Sequence, residues 1–218
     1  MKLAFLAKKE KPTVLEALSY MKEKGFQVEE YLGSISDNFP EKLRVESYDV
    51  IISYISPWII PKEVLSKTSE HNINFHPGPP EYPGTGCFNF ALYNEELSYG
   101  STAHHMESSV DTGEIIAVSR FKISKEESVI SLSEKTYSSM LDLFYKVMDS
   151  IKAGDIIISK EAWKRKPYIR KELEELSLIS PDMTKEEIKK RIRSTYFPGK
   201  PGPYIEISGK KFEYNPQR

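Results

Sequence analysis

The first half of the chain alternates short apolar runs with helix-length segments, and this constrains the fold most. Residues 2–7 read as a short buried strand. Pro12-Thr13 then opens a helix with Val14, Leu15, Leu18 and Met21 on one face, and Gly25 ends it. Residues 26–31 read as a second strand. The run Asp49-Val50-Ile51-Ile52-Ser53 is apolar and β-branched, which suits the buried centre of a parallel sheet. Pro61 starts a short helix over 62–67, and 73–76 is one more strand, stopped by Pro77. This βαβ repetition predicts an α/β fold, Rossmann-like, with a mostly parallel sheet and helices on both faces.

A loop dense in prolines and glycines follows, from His76 to Gly86. Prolines stiffen it and glycines permit unusual dihedrals. A helix is expected over 87–94, strands over 101–107 and 114–121, and a long amphipathic helix over 131–153. The turn Asp111-Thr112-Gly113 joins the two strands. The tail is more highly charged. Thr184 stands three residues before Glu187, a capping box opening a helix through Arg193. Two short runs around Ser208-Gly209 predict a β-hairpin. These signals divide the chain into a main domain over 1–165, where any catalytic function is expected, and an extension over 166–218 with a helix and a hairpin.

Composition narrows the function. The 31 Lys+Arg and 32 Asp+Glu give a formal net charge of −1, so no global basic field exists to hold nucleic acid. The single cysteine, Cys87, can form no disulfide within the chain. No apolar run approaches the ~20 residues needed to span a bilayer, and no export segment is visible. A cytoplasmic protein is the expectation.

Chemistry concentrates at the end of a predicted strand. Asn74 and His76 fall on one face there by alternation, and ligands of open parallel sheets bind beyond the carboxyl ends of strands. A second polar cluster, His104, His105 and Asp111, surrounds the later turn. Asn, His and Asp together supply a hydrogen-bond donor, a proton-transfer group and a carboxylate. Acyl transfer to an amine needs those functions. Plainer readings exist: Asn-x-His also caps loops, and Asp-Thr-Gly is a common turn. Adjacent histidines in a strand point to opposite faces, which argues against a shared metal site. No metal is expected, and nothing marks Cys87 as activated.

The residues also match a known pattern. Asn74-Phe75-His76-Pro77-Gly78-Pro79-Pro80 resembles the Asn-Ile-His-Pro-Ser-Leu-Leu-Pro motif of the folate-dependent formyltransferases. Gly100-Ser101-Thr102-Ala103-His104 and Val110-Asp111-Thr112-Gly113-Glu114-Ile115-Ile116 resemble that family's next two blocks, in the same order. The likeness covers roughly residues 2–148. It implies the formyltransferase fold and a catalytic trio of Asn74, His76 and Asp111. The implied donor is N10-formyltetrahydrofolate, a co-substrate, and the implied acceptor is a primary amine. Asn74 and His76 would stabilise the oxyanion. Asp111 would favour the charged imidazole and accept the amine's proton. The pterin would lie against Pro57, Trp58, Ile59 and Ile60 and the backbone of Ser109 and Val110. Gly78-Pro79 departs from the family's Leu-Leu and alters the wall beside the trio.

The acceptor divides the family. Glycinamide ribonucleotide enzymes carry a Gly-rich phosphate loop after the first strand, where this chain reads Ala7-Lys8-Lys9-Glu10-Lys11. Methionyl-tRNA enzymes add a complete C-terminal barrel, for which this tail is too short. Residues 53–61 and 89–94 look most like the sugar N-formyltransferases, which act on nucleotide-linked amino sugars of bacterial surface polysaccharides. Tyr82, Thr85, Asn89 and Tyr93 are the expected acceptor contacts. The hairpin would make a homodimer, as in several members, or else pack on its own core. A non-catalytic folate binder is the remaining alternative.

Overall fold

The computed structural model describes residues 1–9, 11–156 and 158–216. Glu10, in the loop compared above, and the last two residues of the predicted extension, Gln217 and Arg218, lie outside the described residues. Six strands form one sheet in the order β2-β1-β3-β4-β5-β6. The first four are parallel: β1 (Lys2–Lys8), β2 (Gln27–Gly33), β3 (Val50–Tyr54) and β4 (His71–His76). The last two are antiparallel: β5 (Ser98–His105) and β6 (Ile115–Lys122). A separate hairpin pairs β7 (Tyr204–Ile207) with β8 (Lys210–Glu213).

Period-two alternation explains how both faces are covered. Leu3, Phe5 and Ala7 of β1 enter one core with Val50, Ile52, Ile73 and Phe75. That face is closed by α1 (Pro12–Glu23) and by α5 (Val129–Ala153), which supplies Met140, Phe144 and Val147. Ala4, Leu6 and Ile51 point the other way, under α2 (Lys42–Val45) and α3 (Lys62–Leu65). Burying a side chain such as Phe5 or Ile52 contributes roughly 1.5–3 kcal/mol, so the sheet is the stable platform of the molecule.

One predicted core position is wrong. Leu15 is 65% exposed, whereas Val14, Ala17, Leu18 and Met21 are buried. A helix advances about 100° per residue, which carries Leu15 off the stripe that Val14, Leu18 and Met21 share.

A third core gathers around α4 (Cys87–Tyr93), with Tyr82, Tyr99, Ile123 and Leu132. Two further helices, α6 (Arg170–Ser177) and α7 (Lys185–Thr195), pack beside it. The helix α6 lies in the charged stretch of the tail, where no helix is expected from the sequence. Thr184 caps α7, its hydroxyl accepting from the Glu187 amide at 3.2 Å, but the Glu187 carboxylate accepts from Tyr93 and Arg191, so only half of the expected capping box is seen. Among the described residues, no helix is long and apolar enough to cross a membrane.

Candidate active site

The carboxyl ends of β3 and β4 and the loop after β5 converge on Asp111. Its carboxylate is buried and is approached from three directions. The Gly84 amide donates to Oδ2 at 2.7 Å. His76 Nδ1 lies 3.1 Å from Oδ2, and His104 Nε2 lies 3.2 Å from Oδ1. Asn74 Nδ2 stands 3.0 Å from His104 Nε2 and 3.4 Å from Asp111 Oδ1. Burial by itself would raise the Asp111 pKa. The two imidazoles and the Gly84 amide outweigh burial and hold the carboxyl well below the usual carboxylate range.

The expected trio therefore meets in space. Asn74 and His76 share a face of β4, and β5 runs antiparallel beside it with His104 opposite Asn74. The sequence places His104 in the polar cluster near Asp111 and leaves its role open. Adjacent strand residues diverge, so His104 turns inward while His105 turns away to meet the His71 ring at 5.7 Å. Burial and the neighbouring His71 lower the His105 pKa.

His76 has oxygen acceptors at both ring nitrogens: Asp111 Oδ2 at Nδ1, and the Tyr82 carbonyl at Nε2, 2.8 Å away. Gly78 makes the close approach possible. A Cβ there would lie 2.6 Å from His76 Nε2, so a side chain at that position would press on the ring.

Asn74, His76, His104 and Asp111 line a cavity of about 400 Å³. Its other walls include Pro57, Trp58, Ile59, Ile60, Ser109 and Val110, all six of the residues expected around the pterin. Ile59 and Val110 leave apolar surface open at the mouth, 75% and 49% exposed. Trp58 is half-buried, its Nε1 donating to the Asp37 carbonyl at 2.8 Å. Ile55, on the same wall, has φ of 54°. Positive φ is an outlier for a β-branched residue and marks local strain.

The expected acceptor contacts separate. Thr85 lines the cavity. Tyr82, Asn89 and Tyr93 do not. Tyr82 is buried with its hydroxyl donating to Glu96 at 2.6 Å. Asn89 donates to the Ser194 carbonyl at 2.7 Å and Tyr93 to Glu187 at 2.9 Å. The α4 face that carries Asn89 and Tyr93 thus bonds to α7. Cys87 is buried, and burial pushes its thiol up to about 11, which suits packing and not nucleophilic attack. Among the described residues, no group of three or more His, Cys, Asp or Glu side chains could hold a metal ion.

With this geometry in view, residues 6–148 match the model of the formyl transferase family. The chain belongs to that family. GDP-perosamine N-formyltransferase of Brucella melitensis is 26% identical to this chain over 165 residues, covering 75% of the chain and 63% of the relative. Methionyl-tRNA formyltransferase of Dictyoglomus thermophilum is 30% identical over 180 residues, covering 78% and 55%. The chain thus covers less than two thirds of the length of either relative. Among solved structures, a sugar N-formyltransferase from Shewanella superposes with a TM-score of 0.81 at 15% identity, covering 98% of this chain and 96% of that one. The Helicobacter canadensis N-formyltransferase, in complex with folinic acid and dTDP-3-aminofucose, superposes with a TM-score of 0.72 at 18% identity, covering 96% and 84%. At these identities the superpositions show a shared fold.

Proposed function

We propose that this chain moves a formyl group from N10-formyltetrahydrofolate to the primary amine of a nucleotide-linked amino sugar. The observation that carries the reading is the Asn74–His76–Asp111 cluster in a 400 Å³ cavity walled by apolar side chains such as Trp58, Ile59 and Val110 together with polar ones. A flat heterocycle fits such a slot, and the cluster faces the place where a formyl carbon would sit. The acceptor's lone pair attacks that carbon and the carbonyl electrons move to oxygen. The Asn74 amide donates to the resulting oxyanion, beside His76, whose ring already faces the Tyr82 carbonyl and Asp111. Both Asp111 oxygens are likewise occupied and its carboxyl is held low, so Asp111 suits holding charge better than taking a proton. The C–N10 bond then breaks and N10 takes the amine's proton. The products are tetrahydrofolate and an N-formyl sugar.

The sugar reading is supported by the near-complete overlap with a chain described as a sugar N-formyltransferase, and by a net charge of −1, unhelpful for tRNA. Its setting would be the cytoplasmic assembly of bacterial surface polysaccharide, such as O-antigen. A second copy of this chain would cover the hairpin. Ile205, Ile207 and Phe212 share one face of it and are 37%, 56% and 53% exposed, and a two-stranded hairpin is marginal alone.

The test is a mass-spectrometric turnover assay with N10-formyltetrahydrofolate and a panel of nucleotide-linked amino sugars, glycinamide ribonucleotide and methionyl-tRNA. A formyl mass gain on a sugar supports the reading. A gain on the ribonucleotide or tRNA alone keeps the chemistry and rejects the acceptor. No gain with folate bound leaves a non-catalytic binder.

A further inference from the structure

Trp163 lies outside the segment matched by the family model, on the connection between α5 and α6. Its indole meets the His104 ring edge-to-face at 5.0 Å between centroids and 86° between planes. It meets the His76 ring at 5.9 Å and 72°. Its Nε1 donates to the Gly113 carbonyl at 2.8 Å, in the turn that carries Asp111. One side chain thus touches both imidazoles and the turn between them.

The connection is laced to the same site. The Ser159 amide donates to Ile115, the Lys164 amide to Pro80 and the Tyr168 amide to Pro83, at 2.9, 3.0 and 2.9 Å. The Thr85 amide returns to Tyr168 at 2.9 Å. Outside, Arg120 holds Glu81 and Glu161 together at 3.0 and 2.5 Å. The histidine side chains are 5% and 2% exposed, while Trp163 over them is only half-buried.

We propose that Trp163 is a positioning residue that closes the His76–Asp111–His104 cluster against water and fixes both imidazoles in the orientation that reaches Asp111. Edge-to-face contact is a favoured geometry for two aromatic rings. Excluding water strengthens each charge interaction beneath the ring. The catalytic value of this arrangement rests on the formyl-transfer reading; the positioning itself does not.

The experiment uses the full chain with 15N-labelled histidine and three forms: wild type, W163F and W163L. W163F keeps an aromatic face and loses the bond to Gly113; W163L loses the aromatic face. In wild type the His76 and His104 ring N–H protons exchange slowly with water. In W163L their exchange quickens at least tenfold. Turnover (kcat) falls at least tenfold, with KM for donor and acceptor within threefold. W163F returns both readings to within threefold of wild type. Unchanged exchange in W163L overturns the proposal. So does a W163F as impaired as W163L, which would assign the role to the Gly113 bond. Should W163L not fold, W163M takes its place. Absence of transfer by wild type would sink the functional reading alone, since the exchange measurement still decides the role of Trp163.

Discussion

The Gly84 amide donates to Asp111 Oδ2 at 2.7 Å, and the same glycine lies against Tyr168, where a Cβ would stand 2.4 Å from the carbonyl oxygen. Gly84 also has φ of 85°. The breaker-rich loop thus reaches the carboxylate only because this position has no side chain. Gly84→Ala should cost about 1–3 kcal/mol of stability through backbone strain. It should also lower turnover at least tenfold by displacing the amide. Urea unfolding and the turnover assay check the two parts, and an Ala variant with wild-type kcat would reject the link.

Asp111 makes acid stability predictable in sign. Its folded pKa is depressed, so its contribution is complete above the unfolded value of about 4 and is lost as pH falls through the folded value. Asp111→Asn should therefore be less stable than wild type at pH 7, with the gap closing below about pH 4. It should also cut turnover by about a hundredfold or more, in the range of a lost electrostatic stabiliser. Denaturation midpoints from pH 2 to 7 measure the first effect. A gap that widens in acid contradicts it.

Trp58 on the cavity wall should report the donor. Its emission should change on titration with a reduced folate, since a heterocycle in the slot would replace water beside the indole. Trp58→Phe should remove the change and leave any signal of Trp163. A flat titration with folate bound by calorimetry would move the pterin elsewhere.

Ile55 and Ile52 should respond differently to the same change. Ile55→Gly loses apolar packing but relieves a left-handed backbone, so stability should move by less than about 1 kcal/mol. Ile52 is fully buried in β3, and Ile52→Gly should cost about 4 kcal/mol or more. Equal losses at both positions would mean that Ile55 carries no strain.

The hairpin prediction is one of assembly. Deleting the chain after Pro201, or changing Phe212 to Glu, should convert a dimer to a monomer in sedimentation while the circular dichroism of the main sheet persists. Unchanged sedimentation rejects the hairpin as the interface.

The sequence by itself determined the parallel sheet, because alternation in residues such as Leu3, Phe5 and Ala7 sorts side chains onto two faces without knowledge of any partner. For the same reason it placed Asn74 and His76 together, and set His104 and His105 on opposite sides. The six cavity residues expected from motif resemblance also lie on the cavity wall. Tertiary structure decided the rest. That His104 stands opposite Asn74 is a matter of register between β4 and β5, which no local pattern encodes. Asn89 and Tyr93 sit near the motif in sequence, yet the docking of α7 onto α4 claims both side chains. Trp163 reaches the histidines because the connection after α5 returns across the glycine loop, held by backbone hydrogen bonds that carry no side-chain signature. Strand periodicity is short-range and legible in the chain, whereas a site assembled from distant loops depends on contacts that only the folded molecule makes.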